Sequence, residues 1–143
     1  MNSRQMVEEN LRAADAARPG DMTPREHELL AQVVAAVNEK MRVGCTGCRY
    51  CMPCPHNVDI PGTFAAYNRC ASDGKLRGLF DYFMCTALRR DYTSASNCVE
   101  CGRCETHCPQ HIPIRQELKN ARKELEGPLY RAGRRVIRLF MRY

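Results

Sequence analysis

A chain of 143 residues has room for one modest domain, or for a small domain with helices appended. The hydrophobic share of 44% includes ten cysteines and there is no tryptophan, so the core is thin, a shortage that small domains make good with metal or disulfides. The formal charge of +6 does not argue for nucleic acid, because the five arginines after Pro128, with no acid among them, leave only +1 on residues 1–127.

The first predicted element covers residues 3–17, SRQMVEENLRAADAA, where Val7, Leu11 and Ala14 recur at i, i+4 and i+7 behind a capping Ser3. This polar opening has no apolar signal core, and no stretch approaches the length of a membrane span. A reducing cytoplasm is the expected compartment, where cysteines serve as metal ligands more often than as bridges. RPGD breaks the chain. Thr23, Pro24 and Glu26 then form a capping-box start for a helix to about Lys40. That helix should bury Leu29, Leu30, Val33, Val34 and Val37, with Gly44 ending it just before the first cysteine.

After CTGCRYCMPCP at 45–55, a short helix is expected near 62–72, with Phe64, Tyr67 and Ala71 on one side. Another follows at about 76–90, with Leu76, Leu79, Phe80, Phe83, Ala87 and Leu88 as its apolar stripe. A second cysteine run, CVECGRCETHCPQHIPI, begins at 98 and leads to a helix over 114–126, stopped by Gly127-Pro128. The last segment is basic and amphipathic. Arg131, Arg134, Arg135, Arg138 and Arg142 share one stripe, opposite Leu129, Ala132, Val136, Ile137 and Phe140. Such a helix packs on its own domain, docks on an acidic partner or lies on a membrane, in that order of expectation. No strand pattern is present, and the fold class is all-α. The expected organisation is a helical linker region at 1–43, a cysteine-rich helical domain at 44–126 and a basic tail at 127–143.

Cys98, Cys101, Cys104 and Cys108, followed by Pro109, match C-x2-C-x2-C-x3-C-P, the bacterial ferredoxin run whose fourth cysteine ligates the other cluster. The x2 spacing wraps three corners of one cubane, and the fourth corner faces away from the loop. Applied to both runs, this rule gives a crossed set. Cys45, Cys48, Cys51 and Cys108 hold one 4Fe–4S cluster, and Cys98, Cys101, Cys104 and Cys54 hold a second. The fold expected around them is a helical ferredoxin-type domain. Zinc and a disulfide framework are the alternatives for these cysteines. Triple runs that each end in Cys-Pro suit zinc poorly, and the compartment suits disulfides poorly.

The only internal repeat is this motif, each copy followed by an Ile–Pro pair (CPHNVDIP and CPQHIPI), which suggests two halves related about the clusters. Cys70 and Cys85 lie outside both runs and read first as packed thiols. His56, His107 and His111 flank the Cys-Pro pairs and read first as solvated residues, and Arg49 and Arg103 inside the loops read either as surface residues or as charges that raise a cluster's potential. Each is placed to tune a cluster by charge or hydrogen bonding.

CTGCRYCMPCPHNVDIP and SNCVECGRCETHCPQHIPIRQELK together resemble the C-terminal ferredoxin-like region of a bacterial and archaeal branch of aldo/keto reductases. NSRQMVEENLRAAD and MTPREHELLAQVV are similar to the segment joining that family's barrel to its cluster domain. The likeness spans residues 1–126 and excludes the basic tail. It implies a helical domain with two 4Fe–4S clusters that exchanges electrons with a nicotinamide-dependent barrel oxidoreductase. The barrel, with its catalytic tyrosine, lysine, aspartate and histidine, has no counterpart in these residues.

The function expected is therefore electron transfer, with no bond-making chemistry by this chain alone, in service of a redox partner protein. The alternatives are a component of an iron–sulfur aldo/keto reductase, meaningful only with its barrel, and a redox or iron sensor.

Overall fold

Ser3 accepts a hydrogen bond from the Met6 amide at 3.3 Å and starts α1 (Arg4–Ala16). The expected capping box starts α2 (Pro24–Glu39): the Glu26 amide donates to Thr23 Oγ1 at 3.3 Å, and the Thr23 amide donates to Glu26 Oε2 at 2.7 Å. In this computed structural model, which describes residues 2–89 and 91–140, the chain divides into two compact units, Met1–Val37 and Asn38–Tyr143. The side chains of Arg138 and Phe140, and all of Arg142, fall outside the described residues, and so do the places expected for them.

The first unit departs from expectation. Leu29, Leu30, Val33, Val34 and Val37 are 50–58% exposed, and neither α1 nor α2 buries a residue. Two helices joined by a turn have too few faces to enclose an apolar stripe, so the periodicity predicted the helix and not its burial. The helix also ends at Glu39, ahead of Gly44.

In the second unit, Asp59 caps α3 (Ile60–Ser72) by accepting from the Gly62 amide at 3.1 Å, and Pro61 stands in the first turn. Then come α4 (Lys75–Thr86), a 3-10 turn (Ala95–Asn97), α5 (Arg103–Thr106), α6 (Ile114–Leu125) and α7 (Pro128–Phe140). Among the described residues there is no strand, so the protein is all-α, and no helix is long and apolar enough to cross a membrane.

Two apolar clusters organise this unit. One joins Val43, Val58, Ile60, Phe64, Ile112, Ile114 and Leu118, with cysteines of both runs packed against it. The other joins Ala66, Cys70, Tyr82, Ala121, Leu125 and Tyr130 and locks α3, α4, α6 and α7 together. The stripe expected on α4 holds in part, since Leu79, Phe83 and Ala87 pack against this cluster. Leu76 and Phe80 are 79% and 56% exposed, and Gly78, Tyr82 and Thr86 face inward. A Cβ on Gly78 would meet Cys70 Sγ and stand 2.6 Å from the Ala66 carbonyl oxygen, so the missing side chain is what lets α4 lie against α3.

The C-terminal helix docks by a face other than the one expected. Leu129 and Val136 stay exposed, whereas Tyr130 is buried and a Cβ on Gly133 would come within 3.0 Å of Phe83. Tyr130 lies 5.1 Å from Tyr82 with the rings tilted by 43°, meets Phe83 edge-on at 5.8 Å and shares a 2.8 Å hydrogen bond with Thr86. Satisfied aromatic hydroxyls outcompete plain aliphatic burial here. Cys70 is buried in this cluster, and Cys85 is half-buried against it with its thiol on the Tyr82 carbonyl at 3.4 Å. Burial pushes the Cys70 thiol up and that of Cys85 to about 11, which suits packed, unreactive thiols.

Candidate metal centres

Each cysteine run is held at its approach by one buried or half-buried polar side chain from a helix. Ahead of Cys45, Asn68 of α3 clamps the backbone of Val43. Its carbonyl accepts from the Val43 amide at 2.9 Å, and its amide donates to the Val43 carbonyl at 2.7 Å. Ahead of Cys98, the Tyr82 hydroxyl accepts from the Ala95 amide at 2.8 Å and donates to Glu126 Oε1 at 2.6 Å. Glu126 also accepts from the Ser96 amide at 3.0 Å. This carboxylate is buried, which is tolerable only because it is so fully paired, with Arg122 3.9 Å from its other oxygen. Burial, together with Glu126, drives the Tyr82 hydroxyl far above its ordinary range.

The repeat in the sequence is a repeat of backbone as well. Gly47 and Glu100, two residues past the first cysteine of each run, have φ of 70° and 62°. Arg49 and Gly102, two further on, have φ of 66° and 77°. Asn57 and His111, three past each fourth cysteine, have φ of 57° and 50° and donate their amides to the Cys54 and Cys108 carbonyls at 3.0 and 3.1 Å. Left-handed residues at matched positions are the backbone from which nests for anionic sulfur are built. The runs differ in their spacers. The short one contains a cis Met52–Pro53 peptide, and the longer one holds α5 before Cys108.

Among the described residues, no three His, Cys, Asp or Glu side chains stand close enough to grip a single metal ion. The thiols ring two cavities instead. Cys45, Cys48, Cys51 and Cys108 line one, walled by Ile60, Pro61, Phe64, Ile112 and Ile114. The other, of about 270 Å³, is lined by Cys54, Cys98, Cys101 and Cys104, with Cys51 also on its wall. A cubane offers one iron to each thiolate, so its ligands stand further apart than those around one ion. Burial, with the charge of neighbouring thiols, pushes the Cys45 and Cys51 thiols up, and burial with Glu105 pushes Cys104 to about 11. Two cavities each ringed by thiols fit two 4Fe–4S clusters.

Residues 44–112 match the family model of the 4Fe-4S dicluster domain. The chain carries two 4Fe–4S clusters. Bound, such a cluster supplies a one-electron couple, and at this level the role is iron–sulfur electron transfer. No curated protein and no solved structure gives a match.

His56, His107 and His111 are exposed, as are Arg49 and Arg103. Of these, His56, His107 and Arg103 line the larger cavity and Arg49 the smaller one. Sequence reasoning missed Asn68, Tyr82 and Glu126. The available signal was a polar group set among apolar neighbours on a predicted helix, and periodicity alone assigns such residues to solvent. It also missed Arg115, which ion-pairs with Glu105 at 2.8 Å and ties α6 to the loop of the second run.

Proposed function

We propose that this chain is a two-cluster electron carrier whose cysteine runs exchange ligands. Cys45, Cys48, Cys51 and Cys108 hold one cluster; Cys98, Cys101, Cys104 and Cys54 hold the other. The observation that carries the reading is the lining of the two cavities, in which three thiols of one run meet the fourth thiol of the other, Cys51 alone reaching both walls. The chain's own thiols deprotonate and ligate, and apolar residues such as Ile60, which lines both cavities, pack beside them. The raised Cys45, Cys51 and Cys104 thiols mean that loading displaces protons.

The partner is a separate oxidoreductase, and the resemblance of residues 1–126 to the aldo/keto reductase segment supports a nicotinamide-dependent barrel. Anaerobic purification with iron and sulfide counting, and EPR of the reduced protein, tests the assignment. About eight irons per chain with coupled signals are expected. Four irons, or stoichiometric zinc, would overturn it.

A second reading, a component of an aldo/keto reductase that works only with its barrel, draws on the exposed aliphatic face of α2. Co-purification decides between them, because a chain that is monomeric and reversibly reducible alone leaves the component reading without support.

A further inference from the structure

The outer face of α6 carries Arg115, Lys119, Arg122 and Lys123, while Ile114, Leu118, Ala121 and Leu125 are buried on the opposite side. By itself, a charged outer face is only a solvated face. Here Arg131 of α7 joins it across a concavity of about 410 Å³, whose floor is Ala95 and Leu118 and whose wall includes Cys98. Five cations therefore surround a hollow that reaches one of the thiols of the second run. Glu100 is the one carboxylate on that lining, and Lys119 meets it at 2.7 Å. Arg115 and Arg122 engage Glu105 and Glu126, and the Arg131 guanidinium donates to the Glu126 carbonyl at 2.9 Å. Lys123 has no carboxylate within ion-pair range among the described residues.

We infer that this hollow is the docking surface for an acidic patch on the redox partner, seated beside the Cys98 loop. The inference rests on the electron-transfer reading above. Charge complementarity selects the occupant, because cations in excess, interleaved with carboxylates, match a protein surface of opposite and mixed sign. A phosphate backbone or an anionic bilayer calls for a run of unpaired cations, and three of these five already hold carboxylates. The position fits the role, since an electron enters or leaves where a partner comes closest to a ligand thiol. The surrounding charges also govern the rate of encounter more than its final strength, as a transient redox contact requires.

The chain has four lysines, Lys40, Lys75, Lys119 and Lys123, and two of them are on this face. That allows a direct test on the cluster-loaded protein with a short poly-L-glutamate peptide as the acidic probe. Carbodiimide, which joins an amine to a carboxylate, should link the probe to Lys119 and Lys123 and leave Lys40 and Lys75 unlabelled. Fluorescence anisotropy should show binding that salt weakens and that Lys119→Glu/Lys123→Glu lowers by about tenfold. The same reversal at Arg12 and Lys40 should change it less than about twofold. Lys119→Gln/Lys123→Gln supplies a milder variant should the reversed one lose iron.

Even labelling of all four lysines, equal effects of the two reversals, or no binding would each overturn the inference. So would tighter face-dependent capture of phosphatidylglycerol vesicles or single-stranded DNA. Iron content and reversible reduction, measured on the same preparation, report separately on the electron-transfer reading. A loaded, reducible protein that fails the docking test sinks this inference alone.

Discussion

The two cysteine rings are built from the same backbone turns and the same ligand type, yet they sit in different surroundings. Ile60, Pro61, Phe64, Ile112 and Ile114 wall the ring of Cys45, Cys48, Cys51 and Cys108, with Arg49 as the one cation on that lining. The ring of Cys54, Cys98, Cys101 and Cys104 shares its lining with Val58, Ile60, Val99 and Leu118 but also with Arg103, His107 and Arg115, and Cys98 lines the cationic hollow of α6 as well. Adding an electron adds negative charge, which an apolar wall disfavours and neighbouring cations favour. The comparison teaches that ligation sets which cofactor binds, while the packing of α3 and α6 sets how each copy behaves. We expect the second site to have the higher potential and to take the first electron in a reductive titration. A lower potential at that site would break the comparison.

The largest effect should come from the crossed ligands. Cys108→Ser should empty the ring of Cys45, and Cys54→Ser the ring of Cys98, each halving the iron from about eight to about four per chain. EPR of the two variants should retain different signals. If Cys108→Ser instead removes the signal that Cys98→Ser removes, the exchange is wrong.

Gly78→Ala strikes the scaffold under both rings by pushing α4 from α3. A loss of about 1–3 kcal/mol in anaerobic denaturation is expected, with both signals perturbed together. Tyr82→Phe separates the rings. It removes a hydrogen bond to a buried carboxylate, costing about 1.5–3 kcal/mol, and frees the approach to Cys98 but not to Cys45. Faster iron loss from the second site alone is the expected outcome, and equal loss from both would contradict the separate clamps. Arg115→Gln should lower the potential of the second site only and so narrow the gap between the two.

The smallest effect concerns acid. The Arg115 guanidinium and amide hold Glu105 below the usual carboxylate value of 4.5. A depressed carboxylate contributes stability that is present above its unfolded pKa and is lost as pH falls through its folded one. Hydrogen exchange of the Arg115 amide should therefore rise, relative to other α6 amides, as the pH drops below about 4.5. No such rise in Glu105→Gln would tie the effect to this pair.

Much of this was legible before any coordinates. The capping box at Thr23, the Gly127-Pro128 stop, the all-helical class and the two cluster motifs are local patterns. Each depends on residues a few positions apart whose chemistry leaves few alternatives. Burial was less legible. The stripe of α2 predicted a helix and the wrong burial, and that of α4 brought Leu79, Phe83 and Ala87 to the core but not Leu76 or Phe80, because period reports which residues align and not what lies opposite them.

The sequence by itself determined the cofactor. Two runs of thiols at cubane spacing state their chemistry in any fold that lets them close. Only the tertiary structure decided what surrounds each ring, because that depends on residues far apart in the chain. Asn68 reaches back to Val43, Tyr82 forward to Ala95 and Glu126, and Arg131 across to α6. Long-range hydrogen bonds and the close approach of α4 at Gly78 leave no periodic trace, so folding alone gives the second ring two arginines, Arg103 and Arg115, where the first has only Arg49.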